Sequence, residues 1–101
     1  MSFAVAASVV DLVGNTPLVR LATLSAATGV DIYGKCEFMN PGGSVKDRAV
    51  VAMLRDANLA EGSTVVEGTA GNTGAALCFF GAALKLKVLL TVPDKVSTRL
   101  F

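Results

Sequence analysis

The sequence predicts an α/β fold: a partial three-layer structure built on a parallel sheet with βαβ crossovers. Apolar runs of strand length alternate with longer segments of helical periodicity, which is the pattern of parallel strands joined by helices. Two of the predicted strands are followed by glycine-containing loops that lead into helices. Because ligands of α/β proteins bind at the carboxyl ends of strands, we expect both loops at one edge of the sheet.

The first third of the chain is predicted to form short elements. A helical turn over residues 8–13 leads to the turn cluster Gly14-Asn15-Thr16-Pro17 and to a strand over residues 18–21. A weak helical turn over residues 24–28 ends at Gly29. Residues 32–38 are predicted to form a strand, since they are rich in β-prone side chains.

A lysine follows the first glycine-containing loop, Asn40-Pro41-Gly42-Gly43-Ser44. Ser44 is predicted to cap a helix that begins at Val45 and runs to about residue 59, with Asp47 in capping-box spacing. Lys46 then occupies the second helical position, where its charge opposes the helix dipole. A solvated lysine paired with an acid is the simpler interpretation of this position, and a lysine that reacts as a free amine is the functional one.

The second loop, Gly68-Thr69-Ala70-Gly71-Asn72-Thr73-Gly74, follows a strand over residues 64–67. A helix over residues 75–84 and a strand over residues 86–92 come next. The glycine spacing fits neither a dinucleotide site nor a P-loop. With Asn72 as N-cap, the free N–H groups of the helix start would suit a carboxylate. An ordinary tight turn is the alternative that the spacing leaves open.

Composition excludes several other classes of function. Nine basic and eight acidic residues give a net charge of +1 without a basic stripe, so nucleic acid is not an expected partner. No apolar run approaches the ~20 residues of a membrane span, and no signal peptide is recognisable, so the cytoplasm is the expected compartment. The chain has no histidine, and Cys36 and Cys78 form no CxxC pair. We expect no metal site, and both cysteines as reduced, buried fillers.

Four stretches of the chain, in order and with compatible spacing, carry a family resemblance: Gly14–Leu21, Gly34–Phe38, Asn40–Arg48 and Glu67–Gly74. They resemble the branch of the fold-type II pyridoxal-phosphate (PLP) enzymes that contains cysteine synthase and cystathionine β-synthase. The resemblance implies that Lys46 forms the internal aldimine with PLP and moves the Cα proton, and that Asn72 hydrogen-bonds the 3′-oxygen of the cofactor. The substrate α-carboxylate would bind to Thr69, Ala70, Gly71, Asn72 and Thr73, where Ala70 replaces a frequent serine but keeps its backbone donor.

The implied reaction is PLP-dependent β-replacement on an amino acid, which makes cysteine from O-acetylserine and sulfide. Cystathionine β-synthase is the alternative within the family, whose members are commonly homodimers. The family's phosphate-binding loop and the partner of the pyridine nitrogen have no match after Gly74. Residues 1–101 are therefore expected to be an incomplete N-terminal region without the C-terminal part. Alone, this region is expected to be a poor catalyst and to bind PLP weakly or not at all. A truncated non-catalytic remnant, a fragment that associates with a homologue and a stand-alone anion-binding module are the alternatives.

Overall fold

The structure is a computed structural model that describes residues 4–94. Three α-helices and four strands make up this part of the chain, with short 3-10 turns at Val9–Leu12 and Glu37–Met39. In chain order the elements are β1 (Leu18–Arg20), α1 (Ala22–Thr28), β2 (Tyr33–Lys35), α2 (Lys46–Ala57), β3 (Thr64–Gly68), α3 (Asn72–Ala83) and β4 (Lys87–Thr91). The α/β class is confirmed, and the predicted order of the elements holds.

The second half of the chain contains the predicted βαβ unit. β3 and β4 pair in parallel, from Thr64 opposite Lys87 to Gly68 opposite Thr91, and α3 connects them. One further backbone hydrogen bond extends the ladder beyond the end of β3: the Thr69 N–H donates to the Thr91 carbonyl at 3.1 Å. The second loop therefore starts at the carboxyl end of a parallel strand, as the sequence predicted.

The first two strands differ from the expected single parallel sheet. β1 and β2 form a separate antiparallel pair, with Leu18 opposite Lys35 and Arg20 opposite Tyr33. The reason lies in the connection: the Ile32 N–H donates to the buried side chain of Ser25 at 3.0 Å, so the chain turns back beside α1 instead of crossing the sheet. The periodicity of apolar residues does not distinguish a helix that joins two parallel strands from one that joins two antiparallel strands.

The strand predicted for residues 32–38 is shorter than expected. β2 ends at Lys35, and the chain continues as the 3-10 turn Glu37–Met39. This turn is closed by Asn40, whose N–H donates to the Glu37 carbonyl at 3.2 Å while its side-chain amide donates to the Glu37 carboxylate at 2.8 Å. Side-chain bonding at a single turn therefore outweighs the β-propensity of this segment.

A small core joins the two longer helices to the parallel strands. α2 packs on α3, and α3 packs on β4. The buried apolar side chains are Val10, Val50, Val51, Leu54, Ala76, Leu77 and Phe80. Within residues 4–94, no helix has the length and apolar character needed to cross a membrane.

Candidate functional site

Lys46 is the first residue of α2, one position nearer the helix start than the sequence predicted. Val45 occupies the N-cap position, and the Ser44 hydroxyl accepts the Lys46 N–H at 3.2 Å. The serine therefore accepts an N–H of the first turn from the position before the N-cap, and the predicted capping box is wrong. Asp47 does not reach back to Ser44; its carboxylate accepts the N–H of Gly42 at 2.6 Å instead. The carboxylate is thus committed to the loop before the helix.

The amine of Lys46 is exposed, and within residues 4–94 it makes neither a hydrogen bond nor an ion pair. Two other lysines in this range are engaged. Lys35 donates from Nζ to the Thr16 carbonyl at 2.7 Å, and Lys85 Nζ lies 3.0 Å from a carboxylate oxygen of Glu61. The amine of Lys46 is therefore accessible to a ligand without the loss of a contact in this part of the chain.

The second loop presents an uncapped helix start. Gly71, not Asn72, is the N-cap of α3, and among residues 4–94 no side chain bonds to the first turn. The prediction of Asn72 as N-cap is therefore wrong, and its side chain is free for another role. Asn72 is exposed, while Thr69, Ala70, Gly71 and Thr73 are half-buried. The N–H groups of a first helical turn have no partner within the helix, so this start is suited to an anion.

Two glycines of this loop differ in the space around them. A Cβ atom on Gly71 would have no other atom within 4 Å, so open space lies beside the N-cap. A Cβ atom on Gly74 would lie 2.8 Å from Cγ2 of Thr69 and 3.0 Å from Cδ1 of Leu90. Gly74 therefore allows α3 to approach the strands closely, and Gly71 borders the space where a ligand carboxylate would fit.

A shallow cleft of about 480 Å³ lies next to the second loop. It is lined by Gly68, Thr69 and Ala70 at the end of β3 and by residues 91–93 at the end of β4. This is the carboxyl end of the parallel strands, where ligands of α/β proteins bind.

The helix starts that carry Lys46 and Asn72 lie at the same end of the helical layer. α2 and α3 each contain 12 residues, which gives both a length of about 18 Å. Their middle turns pack together in the core, and their C-terminal ends line one cleft, formed by residues 54–61 and 83–86. Two packed helices of equal length whose C-terminal ends meet run in parallel. The prediction that both loops lie at one edge of a parallel sheet is wrong, because the lysine loop follows a 3-10 turn after the antiparallel strand β2. Packing of α2 on α3 brings the two helix starts to one end instead.

A polar cluster that the sequence did not predict joins the N-terminal motif to the lysine loop. Its centre is the Glu37 carboxylate, which accepts bonds from Arg48 Nε at 2.8 Å, from the Thr16 hydroxyl at 2.7 Å and from the Asn40 amide at 2.8 Å. Asn40 is buried, and its side-chain oxygen accepts the Gly14 N–H at 2.9 Å. Three of the four stretches that carry the family resemblance therefore meet at Glu37. An acid inside a run of β-prone residues was the only sequence signal for it.

The cluster has a clear electrostatic consequence. Hydrogen bonds from Arg48, followed by those from Thr16 and Asn40 and by the positive charge of Arg48, lower the pKa of Glu37 from 4.5 to about 2. The same bond raises the pKa of the Arg48 guanidinium. Both groups are charged at neutral pH, so the lysine loop is held to the N-terminal motif by a charge-assisted bond.

The cysteines differ from expectation in one respect. Cys36 is half-buried and follows β2, whereas Cys78 is exposed on α3. The prediction of Cys78 as a buried filler is wrong, because α3 buries one side only, with Ala76, Leu77 and Phe80 inward. Neither cysteine forms a disulfide within residues 4–94.

Comparison with known proteins identifies close relatives. Residues 9–100 match the family model described as "Pyridoxal-phosphate dependent enzyme". A cysteine synthase of Dictyostelium discoideum is 50% identical over 93 residues, which are 88% of this chain and 25% of that protein. A cystathionine beta-synthase of Saccharomyces cerevisiae is 43% identical over 97 residues, 89% of this chain and 19% of that protein. The chain thus spans a quarter or less of the length of these relatives.

A solved structure agrees with these matches. The crystal structure of O-ureido-L-serine synthase superimposes with a TM-score of 0.90 at 37% sequence identity. The match covers 96% of this chain and 32% of that protein. The fold of residues 4–94 is therefore that of one segment of a larger enzyme structure.

Proposed function

Because the chain belongs to the family of pyridoxal-phosphate dependent enzymes, we propose that it carries the lysine and the carboxylate-binding loop of an enzyme that makes cysteine by β-replacement. The substrates would be O-acetylserine and sulfide. The observation that carries the proposal is the exposed amine of Lys46 at the start of α2, at the same end of the fold as the uncapped start of α3. The relatives named cysteine synthase support the choice of reaction.

The residues at this end of the fold fit PLP. The cofactor needs an amine for covalent attachment and hydrogen-bond donors for its oxygens. Lys46 supplies the amine, and the exposed side-chain amide of Asn72 supplies a donor. We assign both residues to cofactor binding. When bound, PLP supplies an electron sink for a carbanion at the substrate Cα.

The second loop binds the substrate in this proposal. The backbone N–H groups at the start of α3 receive the α-carboxylate in the open space beside Gly71. Thr69, Ala70, Asn72 and Thr73 complete the loop. With the carboxylate held there, Lys46 Nζ accepts the Cα proton and later returns it, so the lysine acts as covalent anchor and as base.

Further parts of the proposal rest on the family resemblance. Residues 1–101 would be the N-terminal region of a longer enzyme, because they match a quarter or less of the relatives' length. The partner of the cofactor phosphate would then lie elsewhere in that enzyme. We propose the cytoplasm as its compartment, in agreement with the unpaired cysteines of residues 4–94, and a homodimer as its assembly.

Covalent capture of PLP tests the assignment of Lys46. The 101-residue chain is incubated with PLP, reduced with borohydride and digested, and the modified peptide is identified by mass spectrometry. We expect the pyridoxyl group on Lys46, since its amine is accessible and lies at a helix start. The matched control is Lys87→Ala, which removes another exposed lysine. Modification of other lysines only, or equal modification of wild type and Lys46→Ala, would contradict the assignment.

A segment exchange tests the reaction and its second candidate. Residues 9–100 replace the matching segment of the Dictyostelium cysteine synthase, and the hybrid is assayed with O-acetylserine and either sulfide or homocysteine. The proposal predicts cysteine, and a Lys46→Ala hybrid should produce none. Preference for homocysteine would favour cystathionine synthesis, the candidate supported by the yeast relative. A folded hybrid that makes neither product would contradict both.

A further inference from the structure

Asp47 is a buried acid that the proposed function does not use. It follows Lys46 in α2, and its relative exposure is 0%. One carboxylate oxygen, Oδ2, accepts the N–H of Gly42 at 2.6 Å, and the other, Oδ1, has no hydrogen-bond partner within residues 4–94. A buried carboxylate is costly unless it is hydrogen-bonded. An acid whose only task was to complement the helix dipole would serve equally well in contact with water.

The loop before α2 is shaped around this carboxylate. A Cβ atom on Gly42 would lie 2.5 Å from Oδ1 and 2.9 Å from Oδ2 of Asp47, closer than real Cβ atoms come to other atoms. Gly42 is therefore required by the space that the carboxylate occupies. The adjacent glycine has a different reason: Gly43 adopts a φ of +88°, and a Cβ there would have nothing within 4 Å. The two neighbouring positions therefore require glycine for different reasons: Gly42 because a side chain would not fit, and Gly43 because of its backbone conformation.

The contact restrains the backbone that leads to the lysine. Gly42 and Asp47 are five residues apart, so their bond closes a small ring that contains Ser44 and Lys46. The Gly43 N–H donates to the Asn40 carbonyl at 2.8 Å, and the Ser44 hydroxyl accepts the Lys46 N–H. Within this ring only the Asp47 bond links the glycine turn directly to the helix that carries the amine.

We propose that Asp47 is the positioning residue of Lys46. Its carboxylate holds the glycine turn against the first turn of α2 and thereby fixes the direction from which the amine meets a ligand. This role rests on the proposed function, in which Lys46 binds PLP. Asp47 itself touches neither cofactor nor substrate.

Amide hydrogen exchange measures the restraint without any ligand. In the wild-type chain of 101 residues we expect the Gly42 N–H to be protected. Asp47→Ala should lower that protection about tenfold or more, because the oxygen that accepts this N–H is removed. Asp47→Asn keeps an oxygen acceptor and should retain most of the protection. Asp56→Asn, which alters an exposed acid of the same helix, is the control. Unchanged protection of Gly42 in folded Asp47→Ala would overturn the proposal.

PLP capture measures the consequence for Lys46. The protein is the hybrid enzyme that carries residues 9–100. The readout is the fraction of the pyridoxyl label on Lys46 relative to the other lysines, after borohydride reduction. Asp47→Ala should lower this fraction, and Asp47→Asn should restore it. Gly42→Ala disturbs the contact from the loop side and leaves the sequence of α2 intact, so it serves if Asp47→Ala does not fold. It should lower the same fraction.

The two failures are distinguishable. A wild-type hybrid enzyme that captures no PLP on Lys46 contradicts the proposed function, and this role of Asp47 with it. A wild-type hybrid that captures PLP on Lys46 with a selectivity that Asp47→Ala and Gly42→Ala leave unchanged contradicts the positioning role alone.

Discussion

At the scale of single residues, the sequence motifs are connected by one carboxylate. Glu37 binds Thr16 of the N-terminal motif and Asn40 and Arg48 of the lysine stretch. Thr16 and Asn40 are both buried, so their polar groups need partners inside the protein. The partners of Glu37 are far apart in sequence, but the fold needs all of them to satisfy these buried groups. The cluster lies at the start of the helix that carries Lys46, the residue to which we assign the chemistry.

Glu37 should make stability depend on pH in a defined window. Its pKa falls from 4.5 to about 2 in the folded chain, so folding favours the ionised form. This contribution is complete above pH 4.5 and is lost as the pH falls through 2. Glu37→Gln removes the charge, so the free energy of unfolding should depend less steeply on pH between 4.5 and 2 than in wild type. Denaturant unfolding at several pH values measures the slope. Equal slopes in both chains would exclude a low pKa for Glu37.

Asn72→Ala should separate cofactor binding from stability. Asn72 is exposed and does not cap α3, so the substitution should change the free energy of unfolding by about 0.5 kcal/mol or less. In the hybrid enzyme that carries residues 9–100 we expect weaker retention of PLP after gel filtration, because a donor to the cofactor is lost. Cys78→Ala and Cys36→Ser serve as comparisons and should retain PLP as wild type does. Retention that survives Asn72→Ala but not Cys36→Ser would point to a thiol instead.

At the scale of elements, close packing of α3 on β4 depends on two glycines seven residues apart. Gly74 meets Leu90, and Gly81 meets Val88, at distances that leave no room for a Cβ atom. A spacing of seven places both on nearly the same face of the helix. The start of α3, with its unpaired N–H groups, is thereby held at the carboxyl end of the strands. The candidate carboxylate site therefore depends on the position of α3 against the strands as well as on the sequence of the second loop.

Gly81→Ala tests this packing. A Cβ atom at this position would lie 2.6 Å from Cγ2 of Val88. Overpacking costs roughly 1–3 kcal/mol, which exceeds the helix-propensity gain of up to about 1 kcal/mol. We therefore expect net destabilisation in thermal or denaturant unfolding. The double variant with Val88→Ala should lose less stability than the sum of the two single changes. Strict additivity would show that the two side chains do not compete for space.

At the scale of the whole molecule, one face of the parallel strand pair is left uncovered by residues 4–94. Val66 and Leu89 are register partners, and their relative exposures are 59% and 57%. Parallel sheets are normally covered on both faces, whereas here α3 covers one of them. Uncovered apolar side chains of this kind promote association.

Replacement of these two residues should reduce self-association. The variant with Val66→Thr and Leu89→Thr places a β-branched residue, which strands accept well, at both positions. It lowers the apolar area exposed on this face. We expect its sedimentation coefficient to depend less on protein concentration than that of the wild-type chain. Val30→Thr, at an exposed position outside the parallel strand pair with a relative exposure of 60%, is the control and should behave as wild type does. If all three chains associate equally, the chains do not self-associate through the uncovered face of the strand pair.

The sequence by itself determined the class of fold, the order of the elements and the family. The class and the order follow from helical periodicity, glycine loops and strand-length apolar runs, which are local properties of the chain. The family follows from the resemblance that four stretches of the sequence carry. It also singled out Lys46 and the loop from Thr69 to Thr73, through motifs that are contiguous in sequence. The antiparallel pairing of β1 with β2, the cluster around Glu37 and the burial of Asp47 were decided by tertiary structure alone. Each depends on residues that are brought together only when the chain folds, and side-chain bonds between them then outweigh local propensity.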